Sequence, residues 1–431
     1  MTPTRRIIDY AAIGGETSRM SKTSLALNNL RGYAIIIVLA FHSSIAYVTH
    51  QPAAALPFDQ PPYAWIANPI VDSDRWLGFD LFCAFTFLNM MQLMFFLSGL
   101  FVWPSLRRKS AAVFLYDRFV RLGVPFALGV YLLMPVGYYA VYRETAVDPS
   151  WPAYWSHLTA LPFWPSGPLW FLWILLALNT AAAMLSWLAP SAIDFLARMA
   201  AGATPNRLFV ALAGLSALVT LAMSGLFTPW QWIDYGPFAF QPLLLPQYAI
   251  FFFFGLIVGA QGLERGLFGA EGTLGRRWGR WCLAAFVSFT VWITCTALIV
   301  TGHGVPGLQI VAELGQAMFA ATACFAAAAT FLRFGAKPWP SFDSLSENSY
   351  GIYLFHYVFI LWAQYVLLSI ALPAIAKGVI VFGVTLLLSW AVSAAICATP
   401  LGARVLRGQR RTAMAAARVT SGGGTAKPSE S

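Results

Sequence analysis

Asn28-Asn-Leu-Arg31-Gly-Tyr-Ala-Ile-Ile-Ile-Val-Leu-Ala-Phe-His42-Ser-Ser44 is the stretch whose reading decides the fold. It reads as an apolar helix carrying one cation, Arg31, and one imidazole, His42. At 3.6 residues per turn their eleven steps come to about 1100°, three turns plus roughly 20°, so both side chains lie on nearly the same face. A rise of 1.5 Å per residue puts about 16 Å between them. That is about half the thickness of a bilayer's hydrocarbon. The spacing predicts a fixed charge at one membrane surface and a titratable ring in the hydrocarbon above it. An ionisable residue at that depth marks a functional site, or else a neutral histidine bonded to a neighbouring helix.

Composition agrees with a membrane reading. The chain has 431 residues, of which 59% are hydrophobic and 10% charged. Soluble globular chains carry about 25% charged residues, so a soluble fold is excluded. Apolar runs long enough to span recur about ten times, near 33–49, 81–103, 123–142, 168–189, 208–227, 247–262, 281–301, 310–332, 349–371 and 378–398. The predicted fold is an all-α polytopic bundle of about ten transmembrane helices. An even number of spans puts both termini on one side. Of the 27 Lys and Arg, that side holds all but Arg75, Arg143 and Lys377. The bias predicts cytoplasmic termini. It also accounts for the net charge of +10 without nucleic acid as a partner. The bilayer itself is the expected surrounding.

Residues 1–30 read as a polar cytoplasmic segment with no signal-peptide core, and Met20 is an alternative start. Residues 31–400 form the transmembrane domain, and 401–431 a basic, disordered tail. Cys83, Cys282, Cys295, Cys324 and Cys397 fall in apolar runs without metal-ligand spacing, so no metal site is expected. Glu313 is expected to snorkel to the interface. The loops 50–80, 143–167 and 228–246 carry Trp65, Trp76, Trp151, Trp155, Trp164, Trp230, Trp232, Tyr235 and several aspartates. They read either as an interfacial aromatic belt or as a platform for sugar rings.

Three further blocks carry chemistry. Phe95-Phe-Leu-Ser98-Gly99 ends the second run, and its small residues suit close helix approach. Arg118-Phe-Val-Arg121 follows the basic run Arg107–Lys109. Arginine forks suit phosphate, and the positive-inside bias explains such residues equally well. Ser346-Glu-Asn-Ser-Tyr-Gly-Ile-Tyr353-Leu-Phe-His356 brings a second histidine about ten residues into its span. Gln92, Asn179 and Gln316 would suit a polar interior beside it.

Together, in this order, Arg31–ten residues–His42, Phe95–Gly99, Arg118–Arg121 and Ser346–His356 resemble the acyltransferase-3 family of integral membrane acyltransferases. The layout looks most like the branch that includes periplasmic glucan succinyltransferases. Pro168 stands where that branch often has His, and Val358 where the family often has Pro. The resemblance implies an enzyme of the bacterial cytoplasmic (inner) membrane. It would move an acyl group, acetyl or succinyl, from cytoplasmic acyl-CoA to a hydroxyl of an extracytoplasmic carbohydrate, with no tightly bound cofactor. It also implies roles. Arg31, Arg118, Arg121 and Ser98 would serve the donor. His42 would act as general base or carry the acyl group, and His356 would assist it. A proton-coupled transporter using the same histidines is the competing class.

Overall fold

The hydroxyl of Ser21 accepts the N–H of Ser24 at 3.1 Å, which caps and starts the first helix at Lys22. Helix therefore begins ahead of the apolar run, within the segment expected to lie outside the bundle. In the computed structural model the described residues are 21–406, except 229–230, 265, 270–271 and 338–339, with backbone alone at 340–343. Arg5, Arg6, Arg19, Met20, Trp230, Arg265 and the tail from 407 onward lie outside the described residues.

The ten expected apolar runs appear as ten helices: α1 Lys22–Tyr47, α2 Leu77–Leu106, α3 Ala111–Thr145, α4 Gly167–Leu188, α5 Pro205–Ser224, α6 Leu245–Ala260, α7 Trp278–Val300, α8 Leu308–Phe334, α9 Ser344–Leu367 and α10 Ala374–Cys397. Among the described residues nine are long and apolar enough to cross a membrane, and α6 is the shorter one. The only strands among them are β1 Ile233–Tyr235 and β2 Phe238–Phe240, paired antiparallel in a loop. This is an all-α polytopic membrane protein.

Small residues set how closely the helices approach. A Cβ on Gly99 would lie 2.0 Å from the Phe252 carbonyl oxygen, and one on Gly255 would lie 2.2 Å from that of Phe96. No side chain fits there, so α2 and α6 touch backbone to backbone. Some buried polar groups are paired across helices. The Gln92 amide donates to Gln247 Oε1 at 2.8 Å, and Gln247 Nε2 donates to Ser216 Oγ at 2.8 Å. Glu313 does not snorkel. It is buried on α8, accepting from Ser224 at 2.6 Å and from Gln309 at 2.8 Å. Two good donors remove the carboxylate's need to reach water.

Contacts define the two ends of the bundle. At the arginine-rich end, the Asn29 amide donates to the Gly335 carbonyl at 2.8 Å. At the long-loop end, Lys377 is buried rather than exposed. Its ammonium lies 2.8 Å from Asp72 and 2.8 Å from Asp74. These pairs tie the loop after α1 to the start of α10. Arg75 donates to the carbonyls of Gln51 and Pro52 at 2.8 and 2.5 Å, closing the same loop. Trp65 is buried within it, stacked on Phe58 and donating to the Phe58 carbonyl at 2.8 Å. It is core and neither belt nor platform. Trp151 and Trp155, on a short helix Trp151–Ala160, stay exposed and stack on each other. The Ser150 hydroxyl caps that helix. Bonds from Ser150 hold the nearby Asp148 carboxyl below the usual carboxylate range.

Candidate active site

Arg31 and His42 share one unbroken helix, as their spacing predicts. Arg31 sits nine residues above Lys22, about 14 Å into the helix. His42 sits five residues before Tyr47, in the half of α1 toward the long loops. Each meets different neighbours.

At the Arg31 level, its guanidinium lies over the Phe101 ring at 4.9 Å, and that of Arg118 lies over Phe114 at 4.9 Å. Arg118 stands close enough to both Arg121 and Arg31 to be repelled by their charges. Prolines shape this corner. Pro125 has no N–H to give the Arg121 carbonyl four residues back. The helix loosens into a π turn over Phe119–Gly123, a distortion common at functional sites. The Tyr350 hydroxyl donates to the Arg121 carbonyl in the missing N–H's place. The Arg121 Nε is buried with no hydrogen-bond partner. Such a donor is costly to leave unmet and is ready for an anion.

Ser98 donates to the Met94 carbonyl one turn back at 2.8 Å. Among the described residues, nothing joins its side chain to the three arginines.

At the other level, α1 meets α9. The rings of His42 and His356 lie 5.4 Å apart, centre to centre. Tyr357 stands edge-on to His42 at 5.4 Å. His356 is 1% exposed, whereas His42 is only partly buried. His356 Nδ1 lies 2.6 Å from the Tyr353 carbonyl, which can only accept. Nδ1 therefore carries the proton and Nε2 offers a lone pair. That Nε2 is buried without a partner. Gln364 Nε2 donates to the His42 carbonyl at 3.1 Å, fixing the end of α1 against α9. The Tyr353 hydroxyl donates to the Pro168 carbonyl. Position 168 thus joins the site through its backbone.

Nothing in linear spacing singles out Gln364, Tyr138 or Gly167, which wall this level together with Tyr357. The one signal within reach is the Tyr353, His356 and Tyr357 spacing, which puts three polar rings on one helix face.

The arrangement can hold an anion at one level. About 16 Å away along the same helix it offers two imidazoles beside phenols. No curated protein and no solved structure matches this chain. A family model described as an acyltransferase domain matches residues 24–394. That match takes in nearly the whole bundle and every block that builds the two levels, so the chain is a multi-pass membrane acyltransferase and belongs to the acyltransferase-3 family.

Proposed function

We propose that this enzyme moves an acetyl or succinyl group from cytoplasmic acyl-CoA to a hydroxyl of an extracytoplasmic carbohydrate. The observation that carries this reading is the two-level site on α1: Arg31 with Arg118 and Arg121 at one end, and His42 against His356 toward the other. An acyl-CoA has the matching shape. Its phosphates form one end and its thioester ends a long flexible arm. Arg31, Arg118 and Arg121 hold the phosphates by charge-assisted bonds. The arm runs beside α1 and brings the thioester to His42. His42 takes the proton of the acceptor hydroxyl as its oxygen bonds to the acyl carbon. The carbon–sulfur bond then breaks, and the leaving thiolate takes that proton from the imidazolium. His356, its tautomer set by Tyr353, offers Nε2 as an acceptor that positions the hydroxyl. The long-loop end faces out of the cytoplasm of a bacterial inner membrane, and exposed Trp151 and Trp155 stack on the sugar. Ser98 belongs to the helix contact that shapes the donor end.

The test separates the two levels. His42→Ala and His42→Gln should cut transfer by about 10²-fold or more while CoA binding to the detergent-purified protein persists. Arg31→Ala should weaken CoA binding first. Transfer is read as acylation of envelope glycans, by mass spectrometry, in a deletion strain carrying each variant. A folded His42→Ala protein with near-normal transfer sinks the catalytic assignment. A chain with no affinity for CoA leaves the transporter reading. A deletion strain that loses a lipid or peptide modification, with every glycan unchanged, removes the carbohydrate acceptor.

A further inference from the structure

Several tyrosines of this bundle commit their proton to a main-chain carbonyl: Tyr350 to Arg121, Tyr353 to Pro168, Tyr154 to Pro135 and Tyr142 to Asp148. Tyr138 and Tyr357 do not. Both are buried, at 1% and 6% exposure. Their side chains interact with each other. Their rings lie 6.0 Å apart. Two hydroxyls that share one bond leave one proton over. Tyr357 is the member of the pair that faces the histidines: its ring is edge-on to His42 at 5.4 Å and 6.2 Å from His356. Gly167 closes the pair from the far side with φ +50. A Cβ there would lie 3.1 Å from Tyr357 Cε1 and 3.2 Å from the Tyr138 hydroxyl. With Tyr138 holding one side of the pair, the Tyr357 hydroxyl can turn its proton toward a group bound beside the two imidazoles.

We propose that Tyr357 is a catalytic residue whose hydroxyl donates to the acyl carbonyl oxygen during transfer, and that Tyr138 positions it. The proposal rests on the acyl-transfer reading with His42 as base. When the acceptor oxygen bonds to the acyl carbon, its proton passes to His42 and the carbonyl π pair moves onto oxygen. Tyr357 bonds that oxyanion and keeps its own proton. When the pair returns, the carbon–sulfur bond breaks and the thiolate takes the proton from His42. A fixed donor in a water-poor site is worth far more to a developing charge than one in water.

The test uses the full-length protein in membranes of the deletion strain, with labelled acetyl-CoA and succinyl-CoA as donors and His42→Ala alongside. Tyr357→Phe should lower kcat by about 10²–10³-fold, the effect of removing one such donor, with CoA binding and donor KM unchanged. Tyr138→Phe should cause a smaller loss, again in kcat. Placing 3-fluorotyrosine at 357 keeps the shape and makes the phenol more acidic, so turnover should shift with it. A purely structural role would leave the rate of that variant unmoved, which overturns the proposal. It is equally overturned if Tyr357→Phe stays within a few-fold of the unmodified enzyme while His42→Ala is dead. If both variants stay active, His42 is not the base and the proposal falls with it; if the unmodified enzyme itself transfers no label from either donor, the acyl-transfer reading has failed.

Discussion

Replacing Lys377 with Met probes the buried charge cluster that roofs the His42 end. The Lys377 and Asp72 side chains are 1% and 2% exposed, and the ammonium is 3.0 and 2.8 Å from the two Asp72 oxygens. Met matches the length of lysine and removes the charge. The Asp72 carboxylate is then left buried, with the Asp74 N–H at 2.8 Å as a remaining donor. Breaking a buried pair by removing one partner costs about 3–5 kcal/mol. Asp74, the second partner of Lys377, is 42% exposed. Water near it screens the cluster, so the low end, about 3 kcal/mol, is the expected loss. The second variant decides the cause. Lys377→Met with Asp72→Asn removes both buried charges and should recover most of the loss. The loop also lies on the end of α1: the Asp72 N–H donates to the Ala46 carbonyl at 3.3 Å and the Trp76 N–H to that of Tyr47 at 2.9 Å. Transfer should therefore fall with stability in the single variant and return in the double. Thermal unfolding of the detergent-purified protein gives the first measurement and membrane acyl transfer the second. Unchanged stability in Lys377→Met, or a double variant no better than the single, refutes the reasoning.

Two further outcomes are expected. Arg118→Ala and Arg121→Ala should each weaken CoA binding by about 1–3 kcal/mol per lost charge-assisted bond; full affinity in both folded variants, measured by calorimetry, returns these arginines to the ordinary charge bias. Gln60→Cys in the long loop should react with a membrane-impermeant thiol reagent on intact cells, and Ser191→Cys at the other end only after permeabilisation; the reverse pattern inverts the proposed cytoplasmic termini.

Local physics made much of this protein legible in its sequence. Apolar run length alone places helices where α1 to α10 lie, because unpaired backbone cannot stand in hydrocarbon. The Arg31–His42 relation is a property of one helix and needs no partner to be read. What lies across the helices is different. His42 and His356 are more than three hundred residues apart in the chain, and only the packing of α9 on α1 brings their rings to 5.4 Å. The tautomer of His356 follows from a carbonyl in its own helix, but the burial of its Nε2 without a hydrogen-bond partner is a fact of three dimensions. Pro168 offers no side-chain donor or acceptor to read, yet it contributes a carbonyl that only the fold aims at Tyr353. Trp65, Glu313 and Lys377 look like interface residues by type, yet each is buried because a specific partner elsewhere satisfies its polar atom. Hydropathy measures one residue's cost of leaving water. Whether that cost is met depends on donors and acceptors that the tertiary structure alone assigns.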